Sequence, residues 1–251
     1  MNQIYSEREH ARECAFESVW SNDIPDVFAD VAKYYDRANA YATLGLIDGL
    51  RQRFISTIEL RPNDRVLDVC AGTNVIGIDL LKKQSSLDVY AVDRSASMQE
   101  VGRQRAEKQG FRINSTICDV HELPYPDNHF DVVTLQFATR HLRAIKVFSE
   151  VLRVLKPGGH FYHCDMLRPA NKMIEQIYYM YLKVCVTAVA RAFGSGSAAL
   201  RCRDYFINAI RMFYSTEELA HVLSELTFSE VVGRSVLAGT VGFHKARKSA
   251  I

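Results

Sequence analysis

Apolar residues along this chain follow two periods. Between Asp26 and Tyr35 they recur at helical spacing (Val27, Phe28, Val31, Ala32, Tyr35), which predicts a helix opened by Asp26 after Pro25. A second helical stretch covers 44–58 and ends at the RPND turn. From Arg65 onward, short continuous apolar runs at 66–70, 87–92, 113–118, 130–135 and 160–164 predict strands. Helical stretches at 75–83, 98–109 and 145–155 separate most of them. Such alternation predicts parallel βαβ units with right-handed crossovers and a sheet covered on both faces. The tail differs. A long aromatic-rich helix spans 171–193, the Gly-Ser run 194–197 breaks it, and a helix at 216–226 starts at Ser215 with Glu218 in the capping-box position. Residues 231–236 and 240–244 read as a closing hairpin. Residues 1–24 are polar and read as a flexible arm, leaving 25–248 as one domain with a helical cover inserted near 171–213.

Composition narrows the class. The chain has 251 residues, 31 Lys+Arg, 29 Asp+Glu and 48% hydrophobic residues, which are globular proportions. Nearly balanced charge and the lack of a basic tract argue against nucleic acid as partner. The six cysteines are scattered with no short ligand spacing, so neither a zinc site nor a disulfide framework is expected. Charged residues at Glu7, Arg8, Glu9, Arg12 and Glu13 exclude a signal peptide, and the reading is cytoplasmic. Glu175, Gln176, Lys183 and Arg191 interrupt the best candidate for a spanning helix. A peripheral contact with the inner membrane face and a homodimer both stay open. Arg201, Arg203 and Arg211 are candidates for an interface or an anionic surface.

Chemistry concentrates at the strand ends. In VLDVCAGTN (66–74) a buried strand carrying Asp68 runs into the small residues Ala71, Gly72 and Thr73, where backbone can approach a ligand. Asp93 ends the second strand, about 20 residues on, where a carboxylate suits ribose hydroxyls. Asp119 and Val120 end the third, where an acid can accept from an adenine amino group. The G-x-G-x-x-G of a pyrophosphate site is missing, so an adenosyl ligand without phosphate fits better. The bland alternative is that these acids only cap helices and loops.

Six stretches then show a resemblance: 27–39, 65–74, 89–98, 117–142, 150–165 and 238–245. In order, they are similar to class I S-adenosylmethionine-dependent methyltransferases, and more narrowly to the ubiquinone/menaquinone biosynthesis C-methyltransferase family. The resemblance covers about 26–248. It implies a Rossmann-like, seven-stranded, mostly parallel sheet with helices on both faces and a C-terminal antiparallel hairpin. It implies S-adenosylmethionine held by Asp68, Ala71, Gly72, Thr73, Asn74, Asp93, Arg94, Met98, Asp119, Val120 and Gln136. It implies a demethylated quinol as substrate, with Arg140, His141 and Tyr35 as catalytic candidates and no metal. Two departures stand out. Asn74 takes the place of a small residue, and His141 takes the place of an asparagine beside the substrate.

A hydroquinone carbon attacks a sulfonium methyl only once a neighbouring hydroxyl has lost its proton. Arg140 suits a phenolate stabiliser, with a structural salt bridge as its alternative role. His141 suits a general base, with a half-buried packed histidine as the alternative. Tyr35 suits a hydrogen bond to a ring oxygen, against plain core packing. His244 matches the family's tail histidine, His163 and Asp165 are weaker candidates for the pocket wall, and His121 and His129 read as solvated. Another phenol or natural product, methylated on carbon or oxygen, is the runner-up acceptor. A cofactor-binding subunit without catalysis, suggested by Asn74, is a further reading.

Overall fold

The computed structural model describes residues 2–192 and 202–250. The 194–197 break and Arg201 lie outside them. Helix α1 (Gln3–Ser18) runs through a wide turn at Val19–Asp23 into α2 (Ile24–Val31). Then come α3 (Tyr35–Ala42), α4 (Leu46–Thr57), β1 (Arg65–Val69), α5 (Val75–Lys83), β2 (Asp88–Asp93) and α6 (Ala96–Lys108). The chain continues with β3 (Asn114–Ile117), β4 (Phe130–Gln136), a 3-10 turn at Thr139–His141, α7 (Ala144–Val154) and β5 (Leu155–Met166). It closes with α8 (Lys172–Ala192), α9 (Arg203–Arg211), α10 (Thr216–Glu225), β6 (Phe228–Val236) and β7 (Val241–Lys248).

The strands form one seven-stranded sheet in the order β3-β2-β1-β4-β5-β7-β6. Strands β1 to β5 are parallel, and β7 is antiparallel to both β5 and β6. The Rossmann-like architecture and the closing hairpin are therefore as the sequence predicts. Two buried clusters sandwich the sheet. One centres on Leu67, Val133, Phe148, Phe161 and Leu223, the other on Phe54, Val66, Leu80, Val132 and Tyr162. Ser215 and Glu218 make the reciprocal capping box that opens α10.

The first 24 residues depart from expectation. Instead of a loose arm, α1 and its continuation dock on the cover. Phe16, Trp20, Ile24 and Val27 pack with Cys202, Tyr205 and Ala209 of the α9 region. Arg12 is fully buried there, which is tolerable because its charge is paired and both terminal nitrogens donate. Its guanidinium pairs with Glu9 and donates to the carbonyls of Arg140 and Leu142. The predicted helix 26–35 is two helices, since the chain breaks at 32–34 and Tyr35 opens α3.

Candidate functional site

The carboxyl ends of β1, β2 and β4 converge on a cavity of about 160 Å³. Asp93, Arg94, Met98, Asp119, Val120 and Gln136 line it from the sheet, and Trp20, Phe28 and Tyr35 from the cover. The loop after β1 bends sharply to admit it. Cys70, Gly72 and Asn74 all have positive φ (55°, 52° and 55°). Such backbone is costly for a side chain such as Cys70 and marks a constrained turn. It is held by Asp93, whose Oδ2 accepts from the Gly72 N–H at 2.9 Å while Oδ1 accepts from Ser95 N–H at 2.8 Å. Burial raises the Asp93 pKa, and these two backbone donors oppose that shift.

A polar extension runs past Tyr35, Cys70, Gln136 and Phe137 to Asp68, Ala71 and Thr73. Asp68 Oδ1 accepts from Thr134 at 2.7 Å, but its buried Oδ2 has no hydrogen-bond partner among the described residues. Burial pushes this carboxyl up to about 7. Gln136 Nε2 is also buried and has no nitrogen or oxygen hydrogen-bond partner among the described residues. Thus a free acceptor and a free donor wall this extension, and such orphans point to a missing ligand.

Of the predicted contacts, Thr73 meets only the polar extension and Asn74 lines neither part. Thr73 Oγ1 donates to Asp36, which is clamped in turn by Arg105. Asn74 is fully buried and turns toward α6, where its Oδ1 accepts from Gln99 at 3.0 Å. A Cβ at Gly102 would lie 2.8 Å from Asn74 Cγ, so that glycine makes the room. Asparagine tolerates the left-handed conformation, so Asn74 is explained by backbone and packing. His121 is not solvated: its Nδ1–H donates to Asp119 Oδ1 at 2.5 Å and its Nε2 accepts from Arg143 N–H at 3.1 Å. Neither histidine near the PYPD turn gave a sequence signal for this, though His121 lies two residues beyond Asp119. His129 stacks on Tyr125.

The second half of the site is apolar. A cavity of about 200 Å³ lies among Val27, Val31, Leu182, Val186, Phe206 and Ile210, from α2, α8 and α9. It meets the first cavity at Phe28, Tyr35 and His141, which line both. Arg140 lies at this junction and pairs with Asp165, while also donating to the Phe137 carbonyl at 2.7 Å. Burial works against its charge, and Asp165 and Tyr35 outweigh it, so Arg140 stays protonated. Burial likewise keeps the Tyr35 phenol protonated. His141 is buried, with Nδ1 2.6 Å from the Tyr205 hydroxyl. Burial, then Arg140 and Arg12, hold it well below its ordinary pKa.

His163 and His244 stand behind this layer. His244 Nε2–H donates to the Thr216 carbonyl, so its Nδ1 accepts from His163 Nδ1–H, and His163 Nε2 accepts from Thr139. Both are neutral and buried, and they support the 3-10 turn that carries Arg140. The structure thus assigns His244 and His163 a supporting place, and gives Asp165 to Arg140. Sequence reading missed Arg12 and Trp20, and placed Tyr205 only in the apolar cover over the sheet. The spacing of residues 12, 16, 20, 24 and 27 is itself helical and could have shown the first two.

Among solved structures, a SAM-dependent methyltransferase from Thermotoga maritima superposes with a TM-score of 0.60 at 17% identity, covering 89% of this chain and 99% of that one. A Haemonchus contortus phosphoethanolamine N-methyltransferase 2, bound to S-adenosyl-L-methionine, gives 0.59 at 16% identity over 80% and 52%. These likenesses show the fold. Sequence relatives are nearer. The demethylmenaquinone methyltransferase of Beutenbergia cavernae is 33% identical over 230 residues, covering 91% of this chain and 92% of its own. The ubiquinone/menaquinone biosynthesis C-methyltransferase UbiE of Pseudomonas savastanoi pv. phaseolicola is 32% identical over 240 residues, covering 92% and 91%. The sequence model of the ubiE/COQ5 methyltransferase family matches residues 17–248. The chain belongs to the ubiE/COQ5 methyltransferase family and is an S-adenosylmethionine-dependent methyltransferase.

Proposed function

We propose that this enzyme methylates a ring carbon of a demethylated quinol, a demethylmenaquinol or related benzoquinol. The observation that carries this reading is the junction at Tyr35, Phe28 and His141, where a polar cavity at the strand ends meets an apolar one. An isoprenoid quinol needs that combination: a charged donor on one side of its ring and a greasy sleeve for its tail. The two sequence relatives named above act, by their names, in that chemistry.

The residues present fit S-adenosylmethionine. Its α-amino acid end needs an anionic acceptor for the ammonium and a donor for the carboxylate, and Asp68 Oδ2 and Gln136 Nε2 are those two orphans. Asp93 would hold the ribose, with Met98 and Val120 against the adenine and Asp119 at its edge. When bound, the group supplies an activated methyl on a sulfonium. Arg140 would stabilise negative charge on the ring oxygen, its own position fixed by Asp165 and the Phe137 carbonyl. Tyr35, protonated, would donate to the ring or pack on it. The apolar lining excludes water, which favours neutralising a phenolate against a sulfonium.

Membrane contact is part of the same proposal. Met173, Ile177, Met180 and Val184 form an exposed apolar stripe along α8. The adjoining face of that helix, Leu182, Cys185 and Val186, lines the apolar cavity. Exposed Tyr41, Leu44 and Leu46 belong to the α3–α4 segment, where the Ala42 carbonyl accepts from Tyr181. A lipid substrate enters most directly where cavity and stripe adjoin. No described helix is long and apolar enough to cross a membrane.

The test is turnover with methyl-labelled S-adenosylmethionine and a short-tailed demethylmenaquinol under reducing conditions, read by mass spectrometry. Label on a ring carbon supports the proposal. Label on oxygen, or none while the cofactor binds, moves it to another phenolic acceptor.

A further inference from the structure

His141 is held by a chain of hydrogen bonds whose direction can be assigned. The Trp20 indole N–H can only donate, and it donates to the Tyr205 hydroxyl at 2.9 Å. That hydroxyl has one proton left to place, and His141 Nδ1, at 2.6 Å, is its other hydrogen-bond partner among the described residues. A buried hydroxyl proton seeks an acceptor, so Nδ1 accepts. A neutral imidazole has a single proton, which must then sit on Nε2. Burial, then the charges of Arg140 and Arg12, keep the ring neutral. His141 Nε2 is buried and has no hydrogen-bond partner among the described residues, and the ring belongs to both cavities. Phe28 and Phe206 pack against the ring from two directions and limit its rotation.

We propose that His141 is a fixed Nε2–H donor to an oxygen of the methyl acceptor, and that Tyr205, backed by Trp20, is a positioning residue that sets this tautomer. The inference rests on the phenolic reading of the acceptor above. It replaces the expectation of His141 as general base: the nitrogen nearest a base's task already carries a proton, and the other is taken. It also makes the acceptor oxygen a specificity element. A ring without an oxygen beside the methylated carbon leaves Nε2–H unpaired and is rejected.

Two measurements on the full chain test this. The ¹⁵N shifts of His141 report its tautomer without any substrate. The expected result is Nε2–H in the wild type and a mixed tautomer in Tyr205→Phe. With the short-tailed demethylmenaquinol, His141→Ala should lose roughly 100-fold in kcat, as for deletion of an oxyanion donor. His141→Asn, whose amide still donates but cannot act as a base near neutral pH, should stay within about tenfold of wild type. Tyr205→Phe should lower kcat while the KM for S-adenosylmethionine holds. An Nδ1–H tautomer in the wild type overturns the proposal, and so does a His141→Asn enzyme as slow as His141→Ala. A wild-type enzyme that leaves the quinol unmethylated fails the substrate reading instead, because the tautomer is read in the protein alone.

Discussion

Arg140 and Asp165 meet at 2.5 Å in a layer where Asp165 has no solvent exposure. The guanidinium that lines the apolar cavity is therefore also the only ion-pair partner of this buried carboxylate among the described residues. Arg140→Ala should cut turnover far more than cofactor affinity, and should also cost about 3–5 kcal/mol of stability by stranding Asp165. The double variant Arg140→Ala, Asp165→Asn should recover most of the stability and none of the turnover. Equal losses of turnover and cofactor affinity in Arg140→Ala would mean its role is structural. Denaturant melts and calorimetry with S-adenosylhomocysteine check this.

Asp93→Ala should lower cofactor affinity about 100-fold or more, since two charge-assisted hydrogen bonds are worth roughly 1.5–3 kcal/mol each. The Gly72 turn loses its acceptor in the same change. Unchanged affinity by calorimetry would sink the assignment.

Arg12→Met keeps much of the apolar stem but leaves the carbonyls of Arg140 and Leu142 without their donor. Stability should fall by about 2–4 kcal/mol, and turnover should fall with cofactor affinity nearly unchanged. Melts and a kcat against KM comparison read the two effects.

Acid should weaken the fold through His244, whose burial holds its pKa at about 4 against 6.5 when exposed. The unfolded chain binds that proton first, so stability falls as pH drops from 6.5 to 4, by about 3 kcal/mol. Asp68, held up to about 7, works in the opposite sense and costs stability as pH rises through 4 to 7. Asp68→Asn should therefore steepen the acid loss, and His244→Gln should flatten it, in urea melts taken across this range.

Ile177→Glu combined with Met180→Glu should release the protein from anionic vesicles in flotation and raise the KM for a long-tailed quinol more than for a short-tailed one. Both side chains are exposed, so the melting temperature should hold. A change of oligomeric state instead would show that a second copy covers the stripe.

The central sheet was readable because its strands are short apolar runs ended by acids. Asp93 and Asp119 fall at strand ends, as that pattern requires. Asn74 turns toward α6 for a physical reason: in a turn with alternating left-handed residues, spacing alone does not say which side chain faces the ligand, whereas Thr73 lines the polar extension. The buried N-terminal helix was hidden by its many charges on the exposed face. The tautomer of His141 depends on Trp20 and Tyr205, separated by 185 residues, and no local pattern encodes such a meeting.

Seen as a growing chain, the Arg12 contacts impose an order of events. Its guanidinium reaches carbonyls 128 and 130 residues further along, and its ring neighbours include Phe213. Until residues 140–142 and the α9 region have been made, α1 has no seat and Arg12 has only Glu9 as an acceptor. A segment synthesised first thus takes its place only once α9 has been made, and the strands β6 and β7 that complete the sheet follow later still.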